Sequence, residues 1–281
     1  MFTLFCRWLL SKILPTPALH KAAASGELPR LRELLRTGTP VDKRDAYGTQ
    51  TLHVAASAGQ SEAIRLLVEA RADVNAFAAD GETPLHRAVG NNHLEAMKLL
   101  LQLGAKVDAM ASDSFSFPVV HHSLIQRRGR DVVEILLNAG ASTNLRDSEY
   151  GMTALHVAAN AKAVEKNLVS FLVERGADLN AMDKKGQTAL HHAVGFGRFE
   201  TAQSLIDLGA DINAVDKNGN TPLHNAAGSD TKMVLLLLRN GASVDLVNKD
   251  GKIPVEIARF CKDTASIKAF ANFANEAKTS S

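Results

Sequence analysis

Histidine is the residue type in this chain best suited to metal binding and acid–base chemistry, and the sequence contains ten of them. Helices stacked at a fixed repeat hold equivalent side chains roughly 8–10 Å apart, whereas the ligands of one zinc ion all lie about 2 Å from it. We therefore expect a column of structural histidines and no metal ion. Six histidines recur in such a series, with several steps of 33 residues: His20, His53, His86, His156, His191 and His224.

Two pairs of adjacent histidines are the remaining candidates for a shared site. If they lie on helices, the side chains within His121-His122 and within His191-His192 diverge by about 100° and cannot easily hold one ligand. The sequence also contains no HExxH motif, CxxC set, phosphate-binding loop or nucleophile elbow. We therefore predict neither enzyme activity nor a cofactor.

A repeated unit positions these histidines, and it is clearest from Asp216 to Asp245. Asp216–Gly219 has the composition of a tight turn. Thr221 is a favourable helix N-cap, and Pro222 suits the first helical position because it has no N–H group to lose. A short first helix and a Leu-rich second helix follow. Gly241 ends the second helix, since glycine takes the left-handed conformation without a steric cost.

The same pattern recurs in phase along most of the chain. The signature stands as TPLHRA at 83–88, TALHVA at 153–158, TALHHA at 188–193 and TPLHNA at 221–226. Gly-Ala pairs follow at Gly104, Gly140, Gly176, Gly209 and Gly241. This pattern resembles the ankyrin repeat family, whose unit is a turn plus two antiparallel helices. The resemblance implies an all-α repeat solenoid of about eight stacked repeats, with degenerate capping repeats at both ends.

The resemblance divides the chain into three regions. An amphipathic segment occupies residues 1–16, the ankyrin repeat domain occupies 17–274, and a tail at 275–281 is expected to be disordered. The predicted repeats lie at about 17–44, 45–77, 78–110, 111–146, 147–182, 183–215, 216–247 and 248–274.

Composition excludes several classes of function. The 281 residues are 46% hydrophobic but only 5% aromatic, as expected for thin helix layers packed through Ala and Leu. A net charge of +2 does not indicate nucleic-acid binding. The two cysteines, Cys6 and Cys261, lie near opposite ends and do not indicate a disulfide framework. We expect a monomer in a reducing compartment such as the cytoplasm.

The N-terminal segment differs from the rest of the chain. On a helix, Thr3, Arg7 and Ser11 form a polar stripe, and apolar residues including Trp8 cover the remainder. The segment is too short to span a bilayer. It either caps the apolar end of the stack or contacts a membrane surface through residues 1–14. A signal peptide is a third alternative, but the positive charges lie inside the apolar run and not before it.

The second repeat departs from the pattern at two capping positions. Gln50-Thr51 stands where the family has Thr-Pro, and Arg71 stands where the helix-ending glycine belongs. We expect weaker capping in this repeat, by up to about 1 kcal/mol for each lost cap.

The fourth and fifth repeats are longer than the others. Phe117–Val120 replaces the signature in the fourth repeat, and a two-residue excess before Gly140 places an insertion near residues 126–130. A similar excess in the fifth repeat lies near residues 162–166. Insertions in such stacks map to loops on one face, which is often the binding face. Neutral variation in an exposed loop is the alternative.

The resemblance also implies where a partner protein binds, namely at the turn tips and at the exposed ends of the first helices. Exposed aromatic residues are the most informative members of this set, because rings are enriched at binding hot spots. Carried onto this chain, these positions are Tyr47, Thr49, Asp80, Glu82, Asn91, Tyr150, Met152, Asn160, Lys184, Lys185, Phe196, Lys217 and Asn220. An aromatic residue and two basic residues of the fourth repeat extend the set with Phe115, Arg127 and Arg128.

The charges in this set change sign along the chain. Acidic residues come early, at Asp80 and Glu82, and lysines come late, at Lys184, Lys185, Lys217 and Lys249. Such a surface fits a partner of the opposite polarity.

Three functions are compatible with these features. The leading hypothesis is an adaptor, an inhibitor or a host-directed effector that binds another protein through the concave face and turn tips. The alternative is a membrane-peripheral scaffold held by the N-terminal segment. An enzyme with a site in the irregular fourth repeat is a remote third hypothesis. The sequence does not identify the partner, because repeat surfaces recognise shape at variable positions.

Overall fold

A computed structural model of the protein describes most of the chain. Structural statements below concern these residues, which are 17–111, 117–126, 128–161 and 167–279. Several sequence predictions lie outside them, namely the N-terminal helix at 1–16, the insertion near 162–166, and the candidate binding residues Phe115 and Arg127.

The described residues form two compact units. The first unit extends to Ser142 and includes Asp147–Glu149. The second unit comprises Thr143–Arg146 and the chain from Tyr150 onward.

Sixteen helices form within the described residues, and no strand is found there. They alternate as the first and second helix of successive repeats. The first helices are α1 (Ala18–Ser25), α3 (Thr51–Ser57), α5 (Pro84–Gly90), α7 (Val119–Ile125), α9 (Ala154–Asn160), α11 (Ala189–Gly195), α13 (Pro222–Ala226) and α15 (Pro254–Phe260). The second helices are α2 (Leu28–Arg36), α4 (Ser61–Glu69), α6 (Leu94–Gln102), α8 (Arg130–Asn138), α10 (Leu168–Glu174), α12 (Phe199–Asp207), α14 (Thr231–Arg239) and α16 (Thr264–Thr279).

Layered packing of these helices builds each unit. In the first unit α1, α3, α5 and α7 pack in succession, and α2, α4 and α6 pack behind them. The second unit repeats the arrangement with α9, α11, α13 and α15 in front and α10 next to α12 behind. This arrangement confirms the predicted all-α repeat solenoid.

Local sequence explains where the helices begin and end. The hydroxyl of Thr221 accepts a hydrogen bond from the backbone N–H of His224, so Thr221 caps α13 as its sequence position predicts. Gly241 follows α14 with a φ of 87°, a conformation that glycine adopts without strain. Small side chains such as Ala226 and Ala193 are buried between first helices, which allows those helices to approach closely.

The turns that connect repeats are fixed by a carboxylate or an amide. Oδ1 of Asp183 accepts hydrogen bonds from the backbone N–H groups of Lys185 (2.7 Å) and Gln187 (2.9 Å). Asp216 makes the same pair of bonds one repeat later, at 2.8 and 2.9 Å. In the last repeat Asn248 takes this role. We call each turn that connects two successive repeats a hairpin tip.

The fourth repeat differs from its sequence prediction by one position. Pro118, and not Phe117, is the N-cap of α7, so His121 occupies the third helical position that the signature histidine holds elsewhere. Val120 therefore takes the signature leucine position and is fully buried. Ten residues separate the starts of α5 and α6, whereas eleven separate those of α7 and α8. The predicted two-residue insertion is therefore wrong, and the excess here is one residue.

The C-terminal repeat closes the second unit. The last helix, α16, packs on α14 and buries Ala269 and Phe270, while Ile267 and Phe273 are only partly buried. The sequence predicts a disordered tail from residue 275, whereas α16 continues to Thr279. Ile253 is the N-cap residue of α15 and has no side-chain oxygen. The carboxylate of Glu256 accepts a hydrogen bond from the backbone N–H of Ile253 at 3.0 Å.

Candidate protein-binding surface

The signature histidines belong to the core and not to a reactive site. In four repeats Nδ1 lies 2.9 Å from the hydroxyl of the N-cap threonine, and the threonine backbone N–H donates to the same nitrogen. Nε2 then donates to a backbone carbonyl of the next repeat, as from His224 to Lys252 at 3.0 Å. Each histidine thereby ties a helix start to the following hairpin, which confirms the structural role expected of them.

Burial keeps these imidazoles neutral. It lowers the pKa of His53 and of His156 to about 4 and that of His86 to about 3. Burial also lowers the pKa of His191 and of His224 below the usual value. A neutral ring with Nδ1 as acceptor and Nε2–H as donor satisfies both neighbours. Among the described residues no group of three His, Cys, Asp or Glu side chains is arranged to hold a metal ion.

The second repeat lacks one of these bonds. Gln50 occupies the N-cap position of α3 and makes no side-chain capping bond. Nδ1 of the fully buried His53 consequently has no hydrogen-bond partner. Arg71 adopts a φ of 70° at the end of α4. The missing cap at Gln50 matches the weaker capping that the sequence predicts here, whereas Arg71 keeps the helix-ending backbone hydrogen bond to the carbonyl of Val68 at 2.9 Å.

A pocket of about 390 Å³ opens on the front of the first unit, where candidate residues Tyr47 and Thr49 line it. Tyr47 is only partly exposed, so it is not the fully exposed aromatic that the sequence suggests. The other lining residues come from the first helices of three repeats, namely Ala24, His53, Val54, Ser57, Ala58 and Arg87.

Charged side chains surround Arg87 at this pocket. Its guanidinium pairs with Asp80, and its Nε lies 3.1 Å from Glu82. Glu82 also lies 3.7 Å from Nδ1 of His122, whose ring stacks on Phe117. Burial and the nearby arginines lower the pKa of His122 to about 4, so this ring is neutral. The early acidic candidates are therefore partly neutralised by Arg87.

The second unit carries a different polar cluster at the equivalent place. Nε2 of His192 lies 2.9 Å from Oδ2 of Asp183, and its Nδ1 lies 2.8 Å from Oδ1 of Asn160. Arg198 donates to the carbonyl of Asn160. Both ring nitrogens of His192 thus lie within hydrogen-bond distance of a side chain, so His192 links Asp183 to Asn160 and is not placed to act on a substrate. The ring of Phe196 stacks on this histidine at 6.4 Å.

Large exposed apolar side chains lie beside these clusters. Phe196 is 55% exposed at the end of α11, and Tyr150 is 46% exposed at a hairpin tip. Phe77, Met182, Val215 and Val247, each just before a hairpin tip, are also exposed. None of these four residues is among the binding residues that the sequence predicts. Met182, Val215 and Val247 follow one another at steps of 33 and 32 residues, and this spacing is the sequence signal that could have identified them.

The structure places the candidate residues on two separate units. Four lie in the first unit around the pocket and its carboxylates, and Asn91 and Arg128 lie beyond it at the ends of first helices. Arg128 donates to the carbonyl of Gly90. The candidates of the second unit are Tyr150, Met152, Asn160, Lys184, Lys185, Phe196, Lys217 and Asn220. No helix of the described residues is long and apolar enough to cross a membrane.

Similarity to known proteins follows the same repeat pattern. Family models for ankyrin repeats match residues 17–111 and 121–216, and a second such model matches residues 195–238. The human ankyrin repeat and SOCS box protein 6 is 38% identical over 85 residues, which cover 29% of this chain and 20% of that protein. The E3 ubiquitin-protein ligase KEG of Arabidopsis thaliana is 39% identical over 72 residues, which cover 26% of this chain and 4% of the ligase. The chain thus spans a fifth or less of these two relatives.

A solved structure matches over a greater length. The crystal structure of the ankyrin repeat domain of Bcl-3, described as a unique member of the IkappaB protein family, aligns with a TM-score of 0.67 and 26% sequence identity. The alignment covers 91% of this chain and 98% of that domain. Because the family models match more than half of the chain and the fold agrees, this protein belongs to the ankyrin repeat family.

Proposed function

We propose that this chain is a protein-binding module whose partner contacts the hairpin tips and the exposed ends of the first helices. One observation carries the proposal, namely the exposed apolar and aromatic side chains that recur at these places on a well-packed scaffold. Phe196 is 55% exposed and Tyr150 is 46% exposed, and exposed aromatic rings are enriched at binding hot spots. A largely preformed surface of this kind binds with little loss of conformational entropy.

Membership of the family supports the same proposal. Ankyrin repeat proteins typically bind other proteins through these surfaces, and none of the described clusters leaves a reactive group positioned for catalysis. The match to the E3 ubiquitin-protein ligase KEG covers only 4% of that protein, so its ligase activity is not carried over. We assign an adaptor or inhibitor role in the cytoplasm as a proposal, supported by the exposed free thiol of Cys261, which suits a reducing compartment.

Affinity capture with a double variant tests the proposal. Tyr150→Ala with Phe196→Ala removes two exposed rings from the front of the second unit. Phe199→Ala, which removes a ring that is 37% exposed at the start of a second helix, is the matched control. We expect a cellular partner to bind both the natural chain and the control variant. The same partner should not bind the double variant. Full retention of every partner by the double variant, with unchanged circular dichroism, would contradict the proposal.

A further inference from the structure

A row of lysines crosses the second unit at its hairpin tips. Lys184 and Lys185 lie on one tip, Lys217 on the next and Lys249 on the third, and all four side chains are exposed. Lys217 follows Lys184 by 33 residues and Lys249 follows Lys217 by 32, so each lysine holds an equivalent place in its repeat. We call these four residues the lysine row.

Backbone hydrogen bonds fix the spacing of the lysine row. The N–H of Lys184 donates to the carbonyl of Tyr150 at 2.8 Å, and the N–H of Lys217 donates to that of Lys185 at 2.9 Å. Lys249 repeats the contact by donating to Asn218 at 2.9 Å. Each tip is therefore hydrogen-bonded to the one before it, and the lysines cannot drift apart.

Glycine makes this close approach possible. Gly186 has a φ of 77°, and a Cβ added to it would lie 2.8 Å from the backbone nitrogen of Lys217. Gly219 has a φ of 79°, and a Cβ there would lie 3.1 Å from the nitrogen of Lys249. Since both residues must lack a side chain, the position of the lysine row is built into the fold.

The aspartates of the first two tips lie below the surface and face other hydrogen-bond donors. Burial would raise the pKa of Asp183, but hydrogen bonds from His192 and from the turn N–H groups outweigh burial and lower that pKa below its usual value. Asp183 and Asp216 are each only 8% exposed, and the carboxylate of Asp183 faces these donors. Asp250 is exposed beside Lys249 and reduces the net positive charge of the third tip.

An apolar row runs alongside the lysine row. Met182, Val215 and Val247 immediately precede the three tips and are 47%, 46% and 58% exposed. The guanidinium of Arg146 donates to the carbonyl of Met182, which adds a further positive charge at the same edge. Along this surface an exposed apolar side chain and a positive charge therefore both recur once in every repeat.

We infer that these tips of the second unit bind an acidic segment of a partner protein in which carboxylates alternate with apolar side chains; this inference rests on the proposed function. Successive helix layers lie roughly 8–10 Å apart, and an extended chain advances about 3.3 Å per residue. Three tips therefore span about 16–20 Å, and an extended acidic segment of about seven residues reaches from the first tip to the third. Opposite charge then sets both the association rate and the choice of partner.

The first unit makes the assignment specific. Its corresponding tip positions carry Ala46 and Tyr47 in one repeat and Ala79 and Asp80 in the next. An acidic segment therefore meets no lysine at those two tips, where Asp80 is paired with Arg87.

Selection from a random dodecapeptide library displayed on phage tests this inference on the full chain. A hairpin variant, Lys184→Glu with Lys217→Glu and Lys249→Glu, reverses the charge of one lysine on each of the three tips. A control variant, Lys106→Glu with Lys232→Glu and Lys268→Glu, makes the same change of net charge at exposed lysines elsewhere. We expect the natural chain and the control to enrich peptides in which Asp or Glu alternates with apolar residues. The hairpin variant should bind those peptides at least tenfold more weakly, and raising the salt from 50 to 300 mM should weaken the natural complex.

The other outcomes separate the inference from the proposed function. Acidic peptides that bind the hairpin variant as tightly as the natural chain would overturn the inference. Neutral or basic peptides whose binding is lost in Met182→Ser with Val215→Ser and Val247→Ser would also overturn it, but would leave the proposed function standing. If no selected peptide depends on either set of residues, both the inference and the proposed role of the hairpin tips fail.

Discussion

The second and seventh repeats show which parts of the repeat unit the fold requires. In the seventh repeat Thr221 caps α13, and Nδ1 of His224 is paired with it. In the second repeat Gln50 provides no cap, and Nδ1 of His53 is unpaired. Yet Nε2 of His53 still lies 3.1 Å from the carbonyl of Glu82 in the next repeat, and 3.0 Å from that of Ala76 at the end of its own repeat. The bond between repeats is kept where the bond within the repeat is lost.

This difference indicates that contacts between repeats matter more for the stability of the stack than the N-cap of a single helix. A lost cap removes about 1 kcal/mol from one helix, whereas a lost contact between repeats weakens the coupling on which a stack depends. Loss of one cap is therefore tolerable in a repeat whose neighbours on both sides hold it in place.

Lowering the pH tests a feature that these repeats share with the third repeat, namely a buried neutral imidazole. Folded pKa values of about 4 for His53 and about 3 for His86 lie below the unfolded value of 6.5. The unfolded chain therefore binds protons that the folded chain does not, and stability is complete above pH 6.5 and falls as the pH drops toward 4. Each histidine contributes about 1.4 kcal/mol for every unit by which its pKa is lowered. We expect the largest effect here, a fall of several kcal/mol in the free energy of urea unfolding between pH 7 and pH 4.5.

The histidine signals in NMR spectra provide the control for this titration. His53, His86 and His156, with pKa values of about 4, 3 and 4, should remain neutral at pH 5 in the folded chain. A free energy of unfolding that stays constant from pH 7 to pH 4.5 would contradict the assignment of these residues as buried and neutral.

Removing each histidine separates the two kinds of bond. His224→Ala breaks the contacts to Thr221 and to Lys252, and we expect a loss of about 3 kcal/mol. His53→Ala breaks only the contacts of Nε2 to backbone carbonyls, and we expect about 2 kcal/mol. Because both variants leave a similar cavity, the difference of about 1 kcal/mol measures the bond within the repeat. Equal losses in chemical denaturation would show that the cap contributes nothing.

Restoring the missing cap should stabilise the second repeat. Gln50→Thr gives Nδ1 of His53 a hydroxyl partner and gives α3 an N-cap, so we expect a gain of about 1 kcal/mol in unfolding free energy. The reverse change, Thr221→Gln, is the matched control and should cost about the same amount. A destabilising effect of Gln50→Thr would mean that the threonine cannot reach the ring.

The smallest expected effect concerns the end of α4, the second helix of the second repeat. Arg71 has a φ of 70°, which an L-residue with a side chain adopts at some cost in energy. We expect Arg71→Gly to raise the unfolding free energy by roughly 0.5–1 kcal/mol. The mirror change, Gly241→Arg, should lower it by a similar amount, since nothing within 4 Å would meet a new Cβ there. Thermal denaturation of both variants measures the pair, and a loss of stability in Arg71→Gly would refute the strain.

The repeat period, the helix pairs, the capping roles of Thr221 and Gly241 and the core position of the signature histidines followed from the sequence. Each is a local property, determined by residues a few positions apart and repeated often enough to be recognised. The register of the fourth repeat was missed because Pro118 is compatible with both the N-cap and the first helical position, and only the burial of Val120 in the stack distinguishes them.

Properties of the surface depended on the tertiary structure. Tyr47 and Tyr150 look alike in the sequence, but Tyr47 is only partly exposed in the folded chain while Tyr150 is 46% exposed. The link from Asp183 through His192 to Asn160 joins residues up to 32 positions apart, and no local pattern encodes it. The sequence by itself determined what each repeat is, because that depends on short-range periodicity. Only the contacts between repeats decided which side chains remain exposed to a partner.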